Sequence, residues 1–437
     1  MYETAIAPFQ YNNIYSLAGE KTAQLVGWMN RLLFTGFTFT VGSPSLNSSV
    51  RLLATMNRTY KFRLYPTTSQ QATLTQWLTT CRRVYNTSLA ERRDAWTTEQ
   101  RSVTYIEQAN QLTDAKKINP FLTAVHSQVL QDVLRRLDKT FKHFFRRIKK
   151  GEKAGYPRFK GQYRYDSFTY PQSGFVLEEK KLRLSKIGSI NIKLHRPIPS
   201  EGEIKTCTIT REVDHWYACF SVALPDPAFD SSQRAIQKAI GVDVGLKSLL
   251  TLNNGDTIDN PRWLRNSEKK LAKVQRRKDR KVKGSHNRYK QNKKVAQVHR
   301  KIRNQRKDFH HKLSRKLVDT YDLIVYEQLR ITNMVKNHHV AKSISDAGWG
   351  QLMCFTEYKA EEAGTLVEYV SAYHSTQRCS RCGQLVPKTL ATRIHSCPYC
   401  GLVLARDHNS AITVLHRSTH YLEARSLSGQ ELSVEPV

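Results

Sequence analysis

Acidic side chains are scarce in this chain: 37 Asp and Glu stand against 70 Lys and Arg, a formal net charge of +33 over 437 residues. So large a surplus repels itself and calls for an external polyanion, of which nucleic acid is the default. Long apolar runs are missing as well. The most apolar stretch, LVGWMNRLLFTGFTFTVG, is broken by Asn30 and Arg31 and has no basic leader, which argues against a signal peptide or a membrane span. Neither a Walker loop nor a GxGxxG turn occurs, and no internal repeat. A disulfide framework is absent too. Cys81, Cys207, Cys219 and Cys354 are scattered singly, and the other four cysteines form two CxxC pairs, the usage of a reducing cytoplasm with one metal site.

What is present is organised in blocks. Residues 1–55 are poor in Lys and Arg, and the text changes at Met56, so 1–55 reads as an N-terminal extension with Met56 the true or alternative start, the other reading being an ordinary N-terminal subdomain. Tyr60, Phe62 and Leu64 alternate with Lys61 and Arg63, as on a half-buried strand with a basic outer face. A helix capped by Thr68 or Ser69 follows, and a second runs from about His126 to Lys150, with Val129 to Ile148 as its apolar stripe. Arg146 and Arg147 lie on the other face, which suits phosphate but equally suits water. In GYPRFK the aromatics alternate with cations. Tyr156 is suited to stacking on bases, and Arg158 and Lys160 to meeting phosphates. Short alternating runs from Phe168 to Leu224 predict antiparallel strands that complete a β-barrel-like module, and DPAFDSSQRA reads as a linker.

The second half alternates strands and helices. AIGVDVGLKSLLTL predicts a strand, a tight turn and a returning strand. Residues 267–320 predict two basic antiparallel helices broken at Gly284-Ser285, carrying Arg276, Arg277, Arg280, Arg300 and Arg303. DLIVYEQL is a buried strand, SDAGWGQLMCFTEYKAEEAG a capped helix stopped by Gly364, and TLVEYVSAY another strand. His310, His311, His338 and His339 lack metal-ligand spacing and read as surface residues.

Cys379, Cys382, Cys397 and Cys400 form two knuckles separated by the fourteen residues Gly383 to Ser396. Four thiolates in tetrahedral array suit a closed structural Zn²⁺ site, and the doubling argues against a redox CxxC. Asp243 and Glu327 each end an apolar strand, and Asp407 opens a helix. Singly these read as a turn carboxylate, a salt-bridge partner and an N-cap. The β-β-α-β-α-β-α order that joins them predicts the first and fourth strands side by side with the last helix across them, as in a ribonuclease H-like metal site. Three carboxylates there would take Mg²⁺.

The series GVDVGLKSL, LIVYEQLRITNM and CSRCG…CPYCG…RDHNSA, after KFRLYPT…Q, CRRVYN and GYPRFK, resembles the TnpB (OrfB) family of transposon-encoded, RNA-guided DNA endonucleases of RuvC type, related to type V CRISPR effectors. The resemblance runs from about Met56 to Leu415. It implies an α/β multidomain protein. A β-barrel (wedge) module, formed by a first strand at 56–68 and by 156–230, would contain an inserted helical recognition region at 69–155. An RNase H-like (RuvC) nuclease domain at 235–373 and 405–418 would enclose a zinc ribbon at 374–404, and 419–437 would be a flexible tail. Asp243, Glu327 and Asp407 would be the catalytic carboxylates, with Mg²⁺ as catalytic cofactor and Zn²⁺ as structural one. The partners would be a guide RNA from the transposon end and double-stranded target DNA. Arg63 and the cations named above would meet nucleic acid. Arg378, Arg381 and Arg393 suit the same contact in the cysteine module, and a purely architectural clasp suits the sequence equally. This chain departs from the family's DRDxNAA at Ala405, which removes a flanking acid, and at Ser410, a small change for Ala. The rivals are a transposase acting directly in strand transfer and a non-catalytic zinc-ribbon regulator.

Overall fold

The alternation of Tyr60, Phe62 and Leu64 with Lys61 and Arg63 becomes the central strand, β1 (Thr55–Tyr65), of a seven-stranded antiparallel sheet. The structure, a computed structural model, describes residues 55–162, 164–225, 235–389 and 391–428. The other strands of this sheet are β2 (Ser167–Tyr170), β3 (Phe175–Leu177), β4 (Lys181–Leu184), β5 (Gly188–Lys193), β6 (Glu203–Glu212) and β7 (His215–Pro225), in the order β2-β6-β7-β1-β5-β4-β3. The edge strands β2 and β3 are consecutive in the chain and joined only by residues 171–174, so the sheet must curl until its edges nearly meet. There the Tyr170 hydroxyl donates to the Ser185 carbonyl at 3.1 Å, and the Ser185 N–H donates to the Gly174 carbonyl at 2.8 Å. Phe62, Trp77, Phe168, Tyr170 and Phe220 fill the interior.

Helix α1 (Thr68–Glu99) leaves β1 through Pro66. Its cap is Thr67, not Thr68 or Ser69, because Thr67 and Gln70 form a reciprocal capping box. Helix α2 (Tyr105–Ile118) was not legible: only Gln108 is buried on it, so no apolar stripe announces it. Helix α3 (Ser127–Lys149) buries Val129, Leu130, Val133, Leu134 and Leu137. Its apolar stripe stops being core after one half, and Phe145 is exposed.

The second sheet contains β8 (Ala239–Val244), β9 (Ser248–Leu252), β10 (Thr257–Asp259), β11 (Leu323–Glu327) and β12 (Leu366–Val370), in the order β10-β9-β8-β11-β12. The expected adjacency of the first and fourth strands read from the sequence is corrected here. TLVEYV is the outer strand, and LIVYE lies between it and β8. LIVYE is apolar on both faces and wholly buried, as a central parallel strand must be, whereas β12 stays half-exposed. The three-residue β10 is too short for a period to reveal.

Around this sheet lie α4 (Glu268–Asp279), α5 (His286–Thr320), α6 (His338–Ala347), α7 (Trp349–Ala363), α8 (Arg406–His416) and α9 (Thr419–Ser428). Gly348, at φ +68°, divides α6 from α7, so the helix expected from Ser345 begins at Trp349. Asp346 instead accepts the N–H groups of Leu264 and Arg265, at 2.8 and 3.2 Å. His310, expected at the surface, is buried against Gln351. The tail expected to be flexible is a docked helix through Ser428: Tyr421 is buried, and Glu368 accepts from the Ser418 hydroxyl and the Thr419 N–H. The extension before residue 55, most of the linker (226–234) and residues 429–437 lie outside the described residues. Among the described residues no helix is long and apolar enough to cross a membrane.

Strand alternation assigns the two faces of the second sheet. Ile240, Val242, Val244, Ile324 and Tyr326 pack in one core with residues of α5 and α7. Ala239, Leu323 and Val325 pack on the other side with Val414 and Leu415 of α8. Gly241 lets α8 approach, since a Cβ there would lie 2.3 Å from the Ala411 carbonyl oxygen and 2.7 Å from Leu415 Cβ. Backbone cannot yield as a flexible side chain does. Gly241→Ala is therefore expected to cost about 3 kcal/mol, read as a lowered thermal midpoint. An unchanged midpoint would mean that α8 is not seated on β8.

Candidate functional site

Asp243 and Glu327 belong to the face covered by α8. Tyr326 pairs with Val242 in the parallel ladder, so the next residues, Glu327 and Asp243, are neighbours at the ends of β11 and β8. Both are nearly buried, at 6% and 7% exposure. Burial pushes the Asp243 carboxyl well above the usual carboxylate range, and the charges of Glu327 and Asp407 push it further. Ser410 and Arg406 pull it back. Glu327 is raised by burial, against the hydroxyls of Ser375 and Ser410 and the charge of Arg417.

Asp407, in the first turn of α8, is more exposed and turned to its neighbour. Arg406 donates to the same Asp407 oxygen from Nε at 2.9 Å and from its terminal nitrogen at 2.7 Å. Asp407 is near enough to raise Asp243, yet the three carboxylates do not form one tight ligand set. Among the described residues, the only three or more ligand-type side chains with all their ligand atoms within 4.8 Å of one another are the four cysteines.

Those cysteines could hold a zinc ion. Cys379 Sγ lies 3.6 Å from Cys400 Sγ, and Cys382 Sγ lies 3.5 Å from Cys397 Sγ. A tetrahedron with Zn–S bonds of about 2.3 Å has edges of about 3.8 Å, so the thiols fit the ion. Gly383 and Gly401, at φ +76° and +72°, turn the backbone back after each knuckle, and the N–H groups of Gly383 and Gly401 donate to Cys379 and Cys397 carbonyls. Burial opposes ionisation of Cys397, but the N–H groups of Cys400 and Tyr399, together with the thiols of Cys382 and Cys400, outweigh it and bring the thiol down to about 7. The module is stitched to α8 by fully buried Asn409, whose amide donates to the Arg378 carbonyl at 2.8 Å and accepts from the Ser380 N–H at 2.9 Å. A cavity of about 510 Å³ between the module and α8 is lined by Arg378, Arg381, Thr413, His416 and Arg417. Arg393 lines a second, polar cleft with Lys247 and Arg262.

The other cations read from the sequence fall into three groups. Arg146 and Arg147 are exposed at the end of α3; Arg147 meets Glu152 and Arg146 meets His143. Beside them Tyr156 packs edge-on against Phe141 and Phe144, Arg158 is exposed, and both backbone groups of Lys160 bond Asn86 of α1. Arg276, Arg277 and Arg280 are exposed at the end of α4. Arg63, Arg300 and Arg303 instead surround the β6–β7 hairpin tip. Arg63 meets His215, Arg300 pairs with Asp214 and Arg303 with Glu212. Ser375, Asn409 and Ser410 were missed because nothing local marks a small polar side chain that becomes buried in the fold, and Arg406 because its turn onto Asp407 is a matter of side-chain conformation.

Two sheets, four thiols that could hold a metal ion and a buried carboxylate pair beneath the last sheet helix define a mixed α/β protein. Its sequence completes the identification: the chain belongs to the TnpB (OrfB) family. Residues 219–338 match the model for a probable transposase of the OrfB type, residues 349–414 a Cas12f1-like TNB domain, and residues 56–101 a helix-turn-helix domain. The last of these regions is folded here as a strand and one long helix. A Streptomyces pristinaespiralis protein named as an RNA-guided DNA endonuclease is 37% identical over 83% of this chain and 90% of its own. The Escherichia coli (strain K12) protein named as the RNA-guided DNA endonuclease InsQ is 28% identical over 86% of this chain and 96% of its own. In fold, the chain resembles the protein of a Cas12f1–sgRNA–target DNA complex, with a TM-score of 0.51 at 14% identity, covering 82% of this chain and 98% of that one.

Proposed function

We infer that this chain is an RNA-guided DNA endonuclease whose nuclease part is RNase H-like, of RuvC type, with a zinc ribbon ahead of its last helix. The observation that carries this is the adjacent buried pair Asp243 and Glu327 under α8. It occurs in a chain 37% identical to a relative named for that activity. Guide RNA from the transposon end would pair with target DNA. Arg146, Arg147, Tyr156, Arg158, Lys160, Arg276, Arg277 and Arg280 would hold the nucleic-acid backbone.

Mg²⁺ fits the carboxylates, because two like charges deprived of water gain from a divalent cation between them. Asp243, Glu327 and Asp407 would hold it, Asp407 by giving up Arg406. The ion supplies the Lewis acid and the activated water that phosphodiester hydrolysis requires. The Asp407–Arg406 pair also favours a second reading, a binder that does not cut.

The test is to purify the protein with its RNA, sequence that RNA, and add matching duplex DNA with Mg²⁺ or with EDTA. Cleavage with Mg²⁺ only, and a structured RNA from the 3′ flank of the gene, are the expected results. Bound but uncut DNA would favour the binder, joined donor–target products would favour strand transfer, and RNA without a common origin would end the guided reading.

A further inference from the structure

Arg406 opens α8 and is held from two sides. Its N–H donates to the Arg393 carbonyl at 2.8 Å, and one terminal nitrogen donates to the Thr392 carbonyl at 3.1 Å, both in the cysteine module. Its Nε and its other terminal nitrogen donate to a single oxygen of Asp407, at 2.9 and 2.7 Å. An oxygen that accepts two guanidinium N–H groups spends its lone pairs on them, and the guanidinium charge repels any cation that approaches. With side-chain exposures of 13% and 26%, the pair is screened less than one at the open surface.

The loop that carries Thr392 also borders a basic cleft. Arg393 lines it with Lys247, Arg262 and Arg265. Lys247 lies in the turn between β8 and β9, four residues past Asp243, so the cleft opens at the carboxylate end of the second sheet. Its two acids are engaged elsewhere: Glu268 pairs with Lys342, and Asp346 accepts the Leu264 and Arg265 N–H groups. Such a cleft draws phosphate toward the place where Arg406 is clasped.

We propose that Arg406 is a positioning residue that withholds Asp407 from a divalent cation until a phosphate of the target DNA strand, entering at Arg393, takes the guanidinium in its place. A guanidinium meets phosphate through paired N–H groups as readily as it meets carboxylate, so the exchange costs it little. The trigger is DNA because the strand to be cut must come to Asp243 and Glu327. The third metal ligand is then supplied only when there is a strand to cut. The inference rests on the metal-site reading of Asp243, Glu327 and Asp407 given above.

The experiment is a Mn²⁺ titration of the protein–RNA complex by electron paramagnetic resonance, before and after matching duplex DNA is added. Asp243→Ala complexes, with and without DNA, give the background of ions held by nucleic acid. Before DNA, Arg406→Gln and Arg406→Ala are each expected to lower the half-saturation of the Asp243-dependent sites about tenfold, the scale of one hydrogen bond to a charged group. Matching DNA is expected to lower the parent's half-saturation about tenfold and that of either variant less than threefold. Arg406→Gln keeps a donor for the Thr392 carbonyl and decides the matter if Arg406→Ala lowers the thermal midpoint. Variants that bind Mn²⁺ no more tightly than the parent before DNA would overturn the proposal, and would mean that Arg406 only braces the helix. An equal response to DNA in parent and variants would overturn it too, by reducing Arg406 to a nearby charge, as would the same response to unmatched duplex. If Asp243→Ala binds as much Mn²⁺ as the parent, the metal-site reading itself fails and this inference with it.

Discussion

Asp243→Ala is expected to lower cleavage by the RNA complex at least ~1000-fold, about 4 kcal/mol of barrier, while target affinity stays within about twofold. The two readouts separate because Asp243 is a single, nearly buried carboxylate, whereas target affinity would rest on base pairing and on the exposed cations elsewhere. Stability gives a third. In the metal-free protein the Asp243 and Glu327 charges oppose each other in a site that solvates neither, so removing one relieves repulsion and the thermal midpoint should not drop. Loss of cleavage through misfolding would show the reverse. Cleavage at the parent rate would remove Asp243 from the chemistry.

Removing zinc is the second large effect. Cys397→Ser, or a strong chelator, is expected to abolish stoichiometric zinc, lower the thermal midpoint and reduce cleavage more than 100-fold. Structural zinc sites contribute about 10–16 kcal/mol of apparent binding energy to folding, and beyond the thiols the module has only a small core around Val386 and Leu402. Cleavage suffers through Asn409. When the knuckle at Arg378 and Ser380 unravels, the amide two residues beyond Asp407 loses both partners in a dry site, and the first turn of α8 frays. Hydrogen exchange would follow this directly, with amides of 379–382 and 409–413 losing protection together. Retained protection in zinc-free protein would show that α8 holds itself.

Much of this was legible because the signals are local. The doubled CxxC spacing needs no tertiary knowledge, and an acidic residue ending an apolar strand is conspicuous where it stands. The buried strand LIVYE was evident, but its rank in the sheet was not. That depended on β12 staying half-exposed, which LVEYV states only weakly. Gly348 read as part of a helix because a glycine near a helix start is ambiguous until its φ is known. Asn409 was the hardest: an amide inside a helix acquires meaning only when the backbone of Arg378 and Ser380, in the cysteine module, meets it.

The β6–β7 hairpin tip bears on how binding data should be interpreted. Arg300 is held by Asp214 and by the Glu212 carbonyl, and Arg303 by the Glu212 carboxylate, which Lys61 also meets. Cations already neutralised within the polypeptide condense few counterions and release few when RNA arrives. The slope of log affinity against log salt should therefore register the ends of α3 and α4 and pass over this corner, and the tally of arginines along α5 would overstate the number of ions displaced.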